Sequence, residues 1–99
     1  MHVIVDFTVV PVGTGLSLSP YVAEVERVLA RSGLTHALHA NGTNVEGEWD
    51  AVMAAIKACH EALHAMGVVR IHTDIKLGTR TDRAQHMADK VASVKARMG

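Results

Sequence analysis

Cysteine is nearly missing from this chain. Cys59 stands alone, which excludes an internal disulfide and fits a reducing compartment. It falls on the apolar side of an expected helix, the usual place of an inert buried thiol. Aromatics are almost as scarce: Phe7, Tyr21 and Trp49 are all there are, so the core must be built from Val, Ala, Leu and Met. Neither sign of charge is in excess, with ten basic and ten acidic side chains. No stretch gathers Lys and Arg into the footprint that nucleic acid or an anionic membrane requires, and both are set aside as partners. No apolar run reaches the length of a membrane span, and Met1-His2-Val3-Ile4-Val5-Asp6 carries an acid where a leader would carry bases. A cytoplasmic protein is expected. At 99 residues the expectation is one domain, 1–99, burying roughly 60–65% of its unfolded surface, so self-association is the default.

What is present is a strong alternation of periods. Val3, Val5, Phe7 and Val9 alternate with His2, Ile4, Asp6 and Thr8, which makes His2 to Val12 a strand with one apolar face. Pro11 to Gly15 ends it. Ser19 as N-cap and Pro20 as first helical residue open a helix with Tyr21, Val22, Val25, Val28 and Leu29 inward, Glu24, Glu26, Arg27 and Arg31 outward, and Gly33 as the stop. Thr35 to Ala40 reads as a second strand, Asn41-Gly42 as a hairpin turn, and Thr43 to Glu48 as a third strand. A second helix from Trp49 to Met66 carries Val52, Ile56, Cys59, Leu63 and Met66 on one stripe, with Gly67 at its end. Val68 to Leu77 alternates cleanly as a fourth strand; Asp82 is a candidate cap for a last helix with Met87, Val91, Val94 and Met98 on its apolar face.

The order is α+β, a ferredoxin-like β-α-β-β-α-β sandwich with an additional C-terminal helix. The expected sheet has its first and third strands central and parallel, both crossover helices on one face, and Asp6, Thr8 and the charged side of the fourth strand on the bare face. Parallel central strands would put the Pro11–Ser19 loop beside Glu46 and near Arg70. Asn41-Gly42 and Lys76 to Arg80 would lie at the opposite end, near His2.

Glu46 is then the focus. A carboxylate near the end of a central strand, followed by Gly47, is costly unless paired or solvated. One account is a simple salt bridge. The other is a carboxylate that accepts from the amino group or ring N–H of a small ligand, with Ser17 and Ser19 satisfying its remaining polar groups. Thr43, about 10 Å away along the strand at roughly 3.3 Å per residue, is a weaker contributor on this layout. His60-Glu61-Ala62-Leu63-His64 matches a zinc-protease helix, but a chain this small offers no extended cleft or evident third ligand, so no metal is expected there. His36 and His39 fall on opposite strand faces. The Gly13–Ser19 loop lacks the Lys of a phosphate loop, and no nucleophile with an adjacent base can be read, so no catalytic residue is expected.

Four stretches together resemble a known family: Val9-Val10-Pro11-Val12-Gly13-Thr14-Gly15, Ser17-Leu18-Ser19-Pro20-Tyr21-Val22, Gly42-Thr43-Asn44-Val45-Glu46-Gly47-Glu48, and Lys76-Leu77-Gly78-Thr79-Arg80-Thr81-Asp82. With the Lys90-Val91-x-Ser93-Val94 helix they look like the thiamine-binding-protein family over essentially the full length. The resemblance implies a ferredoxin-like protomer, assembled into dimers or tetramers, that binds thiamine or its hydroxymethylpyrimidine portion with no required cofactor and no catalysis. Its Ser-x-Ser and Thr-x-x-Glu-Gly elements fall on Ser17, Ser19, Thr43 and Glu46. The alternative expectation is a structural or regulatory oligomerisation module with no small-molecule ligand.

Overall fold

The strand alternation near the N-terminus builds the centre of the protein. In the computed structural model, which describes residues 1–99, Val3, Val5, Phe7 and Val9 of β1 (His2–Val12) point into the core and the residues between them point the other way. The chain continues as α1 (Ser19–Ser32), β2 (Thr35–His39), β3 (Gly42–Glu48), α2 (Trp49–Ala65), β4 (Arg70–Gly78) and α3 (Met87–Arg97). The four strands form one sheet in the order β2-β3-β1-β4, the ferredoxin-like arrangement. Val25, Val28 and Leu29 of α1 and Val52, Ala55, Ile56, Cys59 and Leu63 of α2 close over one sheet face. The core is aliphatic apart from Phe7 and Cys59. Ile4, Asp6 and Thr8 of β1 share the other face with Lys76 and Asp74 of β4, as the alternation predicts.

One expectation is overturned here. β1 and β3 are antiparallel, as is every other strand pair in the sheet. The crossover through α1 returns the chain so that β2 runs with β1, and the tight β2–β3 hairpin then reverses it, so β3 must oppose β1. The ends of the sheet change places accordingly. Glu46 lies opposite Ile4, two residues from the His2↔Glu48 pair, and Thr43 lies opposite Phe7. Arg70 pairs with Val12, at the far end from Glu46. Gly78 pairs with Ile4, so the β4 exit does lie near His2, whereas the hairpin does not.

The hairpin forms where expected but for a different reason. Ala40 and Asn41 are its two loop residues, closed by His39↔Gly42, and no non-glycine residue has positive φ. Gly42 is therefore not there to supply a left-handed conformation. A Cβ on it would meet Thr8 Oγ1 at 2.8 Å and the Phe7 backbone oxygen at 2.9 Å, so glycine is required by close approach to β1. Gly42→Ala is expected to lower stability by about 1–3 kcal/mol, the usual cost of overpacking a fixed backbone contact, read as a fall in the urea midpoint with an unchanged slope.

Helix ends also differ in detail. Leu18, not Ser19, occupies the α1 N-cap and accepts from Tyr21 and Val22 N–H through its carbonyl, with no side-chain cap bond. The Ser19 hydroxyl is thereby left out of the cap. Gly33 (φ 74°) and Gly67 (φ 95°) stop α1 and α2 in the left-handed region, as their positions suggest. His86, not Asp82, caps α3, its N–H donating to Asp89 Oδ2 at 2.9 Å; Asp82 instead pairs with Arg80. No residue of α3 is buried, and Val91, Val94 and Met98 are exposed. No helix is long and apolar enough to cross a membrane.

Candidate functional site

Antiparallel pairing of β1 and β3 brings together residues that the parallel layout would separate. The loop after β1 returns along the sheet into α1, whose first turns face the β2–β3 hairpin. Between them lies a cleft of about 870 Å³. Ser17 and Ser19 stand on one wall, Leu38 and Thr43 on the other, and Phe7 and Val25 form part of the apolar lining. Glu26 reaches the same cleft from the second turn of α1. The Thr43 hydroxyl, 3% exposed as a residue, donates to Glu26 Oε2 at 2.9 Å and fixes the carboxylate. Glu26 thus belongs to a cleft and not to an open solvent face.

The electrostatics of this cleft are simple. Glu26 is its one carboxylate, and no Lys or Arg lines it. Its one imidazole, His39, is bonded through Nε2 to Asp6 Oδ1 at 2.7 Å and not to a serine. A ligand here meets a carboxylate, hydroxyls and an apolar slot, with no competing cation.

Glu46 occupies a different site. Its place opposite Ile4 puts it on the sheet face away from α1 and α2, so within one protomer it does not reach the serine cleft. It is 6% exposed. Oε2 lies 3.1 Å from His2 Nε2 and 3.5 Å from His86 Nδ1, and it accepts from Met87 N–H at 3.0 Å. The carboxylate therefore anchors the start of α3, and neither a serine nor Arg70 is its partner. Gly47 does admit a close neighbour, the Leu34 side chain, 2.8 Å from where a Cβ would stand.

The histidines of the second helix are engaged locally. His60 Nε2 lies 2.6 Å from Thr73 Oγ1, and His64 Nδ1 donates to the Val68 carbonyl at 2.7 Å. Burial, with His64 beside it, holds the His60 imidazole below its ordinary value. The folded state then takes up this proton later than the unfolded chain does, so the stability associated with His60 is intact above the ordinary imidazole pKa of about 6.5 and is lost as pH falls through the lower folded value. Thermal midpoints are expected to hold from pH 8 to 7 and to decline below about 6.5, with His60→Gln flattening part of the decline. Cys59 is fully buried, and burial, followed by the charges of Glu26 and Glu24, pushes its thiol up to about 12. It is no nucleophile at neutral pH.

With Ser17, Ser19 and Thr43 gathered around one cleft, the comparison with known proteins becomes specific. Residues 5–95 match the model of the thiamine-binding protein family. The chain belongs to that family. A UPF0045 protein of Synechocystis is 58% identical over 94 residues, covering 95% of this chain and 78% of the relative. Another, ECM15 of Eremothecium gossypii, is 44% identical over 99 residues, covering 99% and 94%. Among solved structures, a hypothetical protein of Methanocaldococcus jannaschii superposes with a TM-score of 0.86 at 27% identity over 95% of this chain and 96% of its own. A Thermotoga maritima protein whose name proposes a place in thiamine biosynthesis or salvage superposes at 0.82 with 19% identity, covering 95% and 99%, a likeness of fold.

Two site features escaped sequence reasoning. Glu26 sits at a helical position that a wheel assigns to solvent, because the wheel does not contain the hairpin that rises beside it. His2 and His86 come from opposite ends of the chain and have no spacing to betray them.

Proposed function

We propose that this chain binds thiamine or a related hydroxymethylpyrimidine, without transforming it, as a cytoplasmic homo-oligomer, dimer or tetramer. The observation that carries this reading is the charge of the serine cleft: one oriented carboxylate and no Lys or Arg. An aminopyrimidine offers an amino donor beside ring nitrogens. Glu26 accepts from the amino group, the Ser17 and Ser19 hydroxyls donate to ring nitrogens, and Phe7 and Leu38 take the flat ring. Thiazolium is a cation and suits a cleft whose one formal charge is negative. Thr43 acts by holding Glu26 in place. Of the residues the family motif marks, Glu46 alone stands outside this arrangement.

Titration calorimetry of the apo protein with thiamine and with hydroxymethylpyrimidine tests the reading. Saturable heat is expected from at least one of them, and none from either overturns it. The exposed Val91 and Val94 of α3 and Met98 just after it favour self-association. They also fit the second reading, a structural or regulatory module with no ligand, which predicts an oligomer by light scattering and a flat titration.

A further inference from the structure

We infer that His2, Glu46 and His86 form a binding site for a divalent first-row transition ion, with an open coordination position facing a basic cleft that supplies an oxyanion. The site is separate from the serine cleft and does not depend on what that cleft binds.

The geometry carries the inference. Two bonds of 2.0–2.2 Å at the tetrahedral angle place their donor atoms roughly 3.3–3.6 Å apart. His86 Nδ1 lies 3.5 Å from Glu46 Oε2, within that range, and His2 Nε2 lies 3.1 Å from it, slightly short of the range, and all three donor atoms fall within 4.8 Å of one another. The two rings meet edge to face, with centroids 5.2 Å apart and an interplanar angle of 81°, so their nitrogens converge without the rings stacking. His86 is 64% exposed at its side chain and has room to rotate and shorten the remaining edge.

The support behind the donors is that of a built site. Glu46 is buried on a central strand, and its Oε2 is oriented by Met87 N–H. A carboxylate buried this far costs several kcal/mol unless its charge is compensated, and no Lys or Arg lies in contact with it. An ion between it and the two imidazoles supplies that compensation. Two imidazoles with one carboxylate is a donor set for Zn²⁺, Co²⁺, Ni²⁺ or Fe²⁺, whereas Mg²⁺ and Ca²⁺ want oxygens throughout.

Three protein donors leave a position open. His2 and His86 both line a cleft of about 560 Å³ that also carries Arg80, Arg83 and Lys90, with Asp82 its only acid. Arg80 is bonded to Asp82 through both nitrogens of its fork, which leaves Arg83 and Lys90 as cations without an ion-pair partner. A small oxyanion on the open position would meet those two charges.

Untagged protein, stripped with a chelator and titrated with Co²⁺, reports the site through visible d–d absorption, and competition with Zn²⁺ gives the affinity. One ion per protomer is expected. His86→Ala, at an exposed position, and Glu46→Gln should each weaken binding by about 10- to 100-fold or more, with circular dichroism expected to match the wild type as the check on folding. His64→Ala should leave it unchanged. Inorganic phosphate should shift the wild-type cobalt spectrum, and Arg83→Ala should reduce that response. Absence of a stoichiometric cobalt spectrum, equal affinity in His86→Ala, or loss of the ion on His64→Ala overturns the metal site. A spectrum indifferent to phosphate overturns its open position.

Discussion

Replacing Phe7 with alanine is expected to cost about 3–5 kcal/mol, the largest stability loss available from one side chain in this protein. Phe7 is 2% exposed, lies on the central strand between Thr43 of β3 and Ile75 of β4, and is the one aromatic in a core otherwise made of Val, Leu, Ile and Ala with Cys59. Neighbours such as Val5, Val9 and Val45 are short and β-branched, with few rotamers by which to fill the space. For a chain of this size each kcal/mol moves the thermal midpoint by roughly 4–8 °C, so a fall on the order of 15 °C or more is expected in Phe7→Ala. Phe7→Leu keeps most of the volume and should lose far less, about 1.5 kcal/mol. Both need comparison at one protomer concentration, since self-association would add to the apparent stability. A loss below about 1 kcal/mol in Phe7→Ala would mean that the α1 and α2 side chains collapse into the gap, and that the core is softer than its packing indicates.

Phe7 also shows which parts of the structure were legible beforehand. Its alternation with Asp6 and Thr8 assigned it to the core, and the helical spacing of Val25, Val28, Leu29, Ile56, Cys59 and Leu63 did the same for α1 and α2. These are local periodicities, set by the pitch of one element. The relative direction of β1 and β3 is not local: it follows from counting chain reversals between them, and one miscounted reversal moves every loop to the wrong end. Such a miscount joins Glu46 to the serines and separates Thr43 from them, whereas the sheet places Thr43 in the serine cleft and Glu46 on the opposite face. Gly42 is a milder case. The dipeptide Asn41-Gly42 located the hairpin, but the demand for glycine comes from the Phe7 carbonyl across the sheet. Exposure of α3 was equally hidden, because an apolar stripe states that a face wants cover and not whether its own protomer supplies it.

The second large effect falls on binding at Glu26. Glu26→Gln keeps the side chain's size while removing its charge and turning one oxygen into an NH₂ donor. Hydrogen bonds to charged groups are worth about 1.5–3 kcal/mol, so thiamine affinity is expected to fall by roughly 10- to 150-fold. Neutral hydroxymethylpyrimidine loses only the strengthened hydrogen bond and should fall by less. Ionic strength should separate the two ligands further, weakening thiamine more than the neutral fragment, as screening of a partly open site requires. Thr43→Val removes the hydroxyl that donates to Glu26 Oε2 at 2.9 Å while filling nearly the same space. If Thr43 acts through Glu26, its cost in affinity must shrink when Glu26 is already glutamine, and the double-mutant cycle should give a coupling of about 0.5–3 kcal/mol. Independent, additive losses would place Thr43 in direct contact with the ligand. Titration of Glu46→Gln closes the argument: unchanged thiamine affinity is expected from a residue on the opposite sheet face. A marked loss there, with Glu26→Gln binding normally, would move the ligand to the α3 end of the sheet and sink the assignment of the serine cleft.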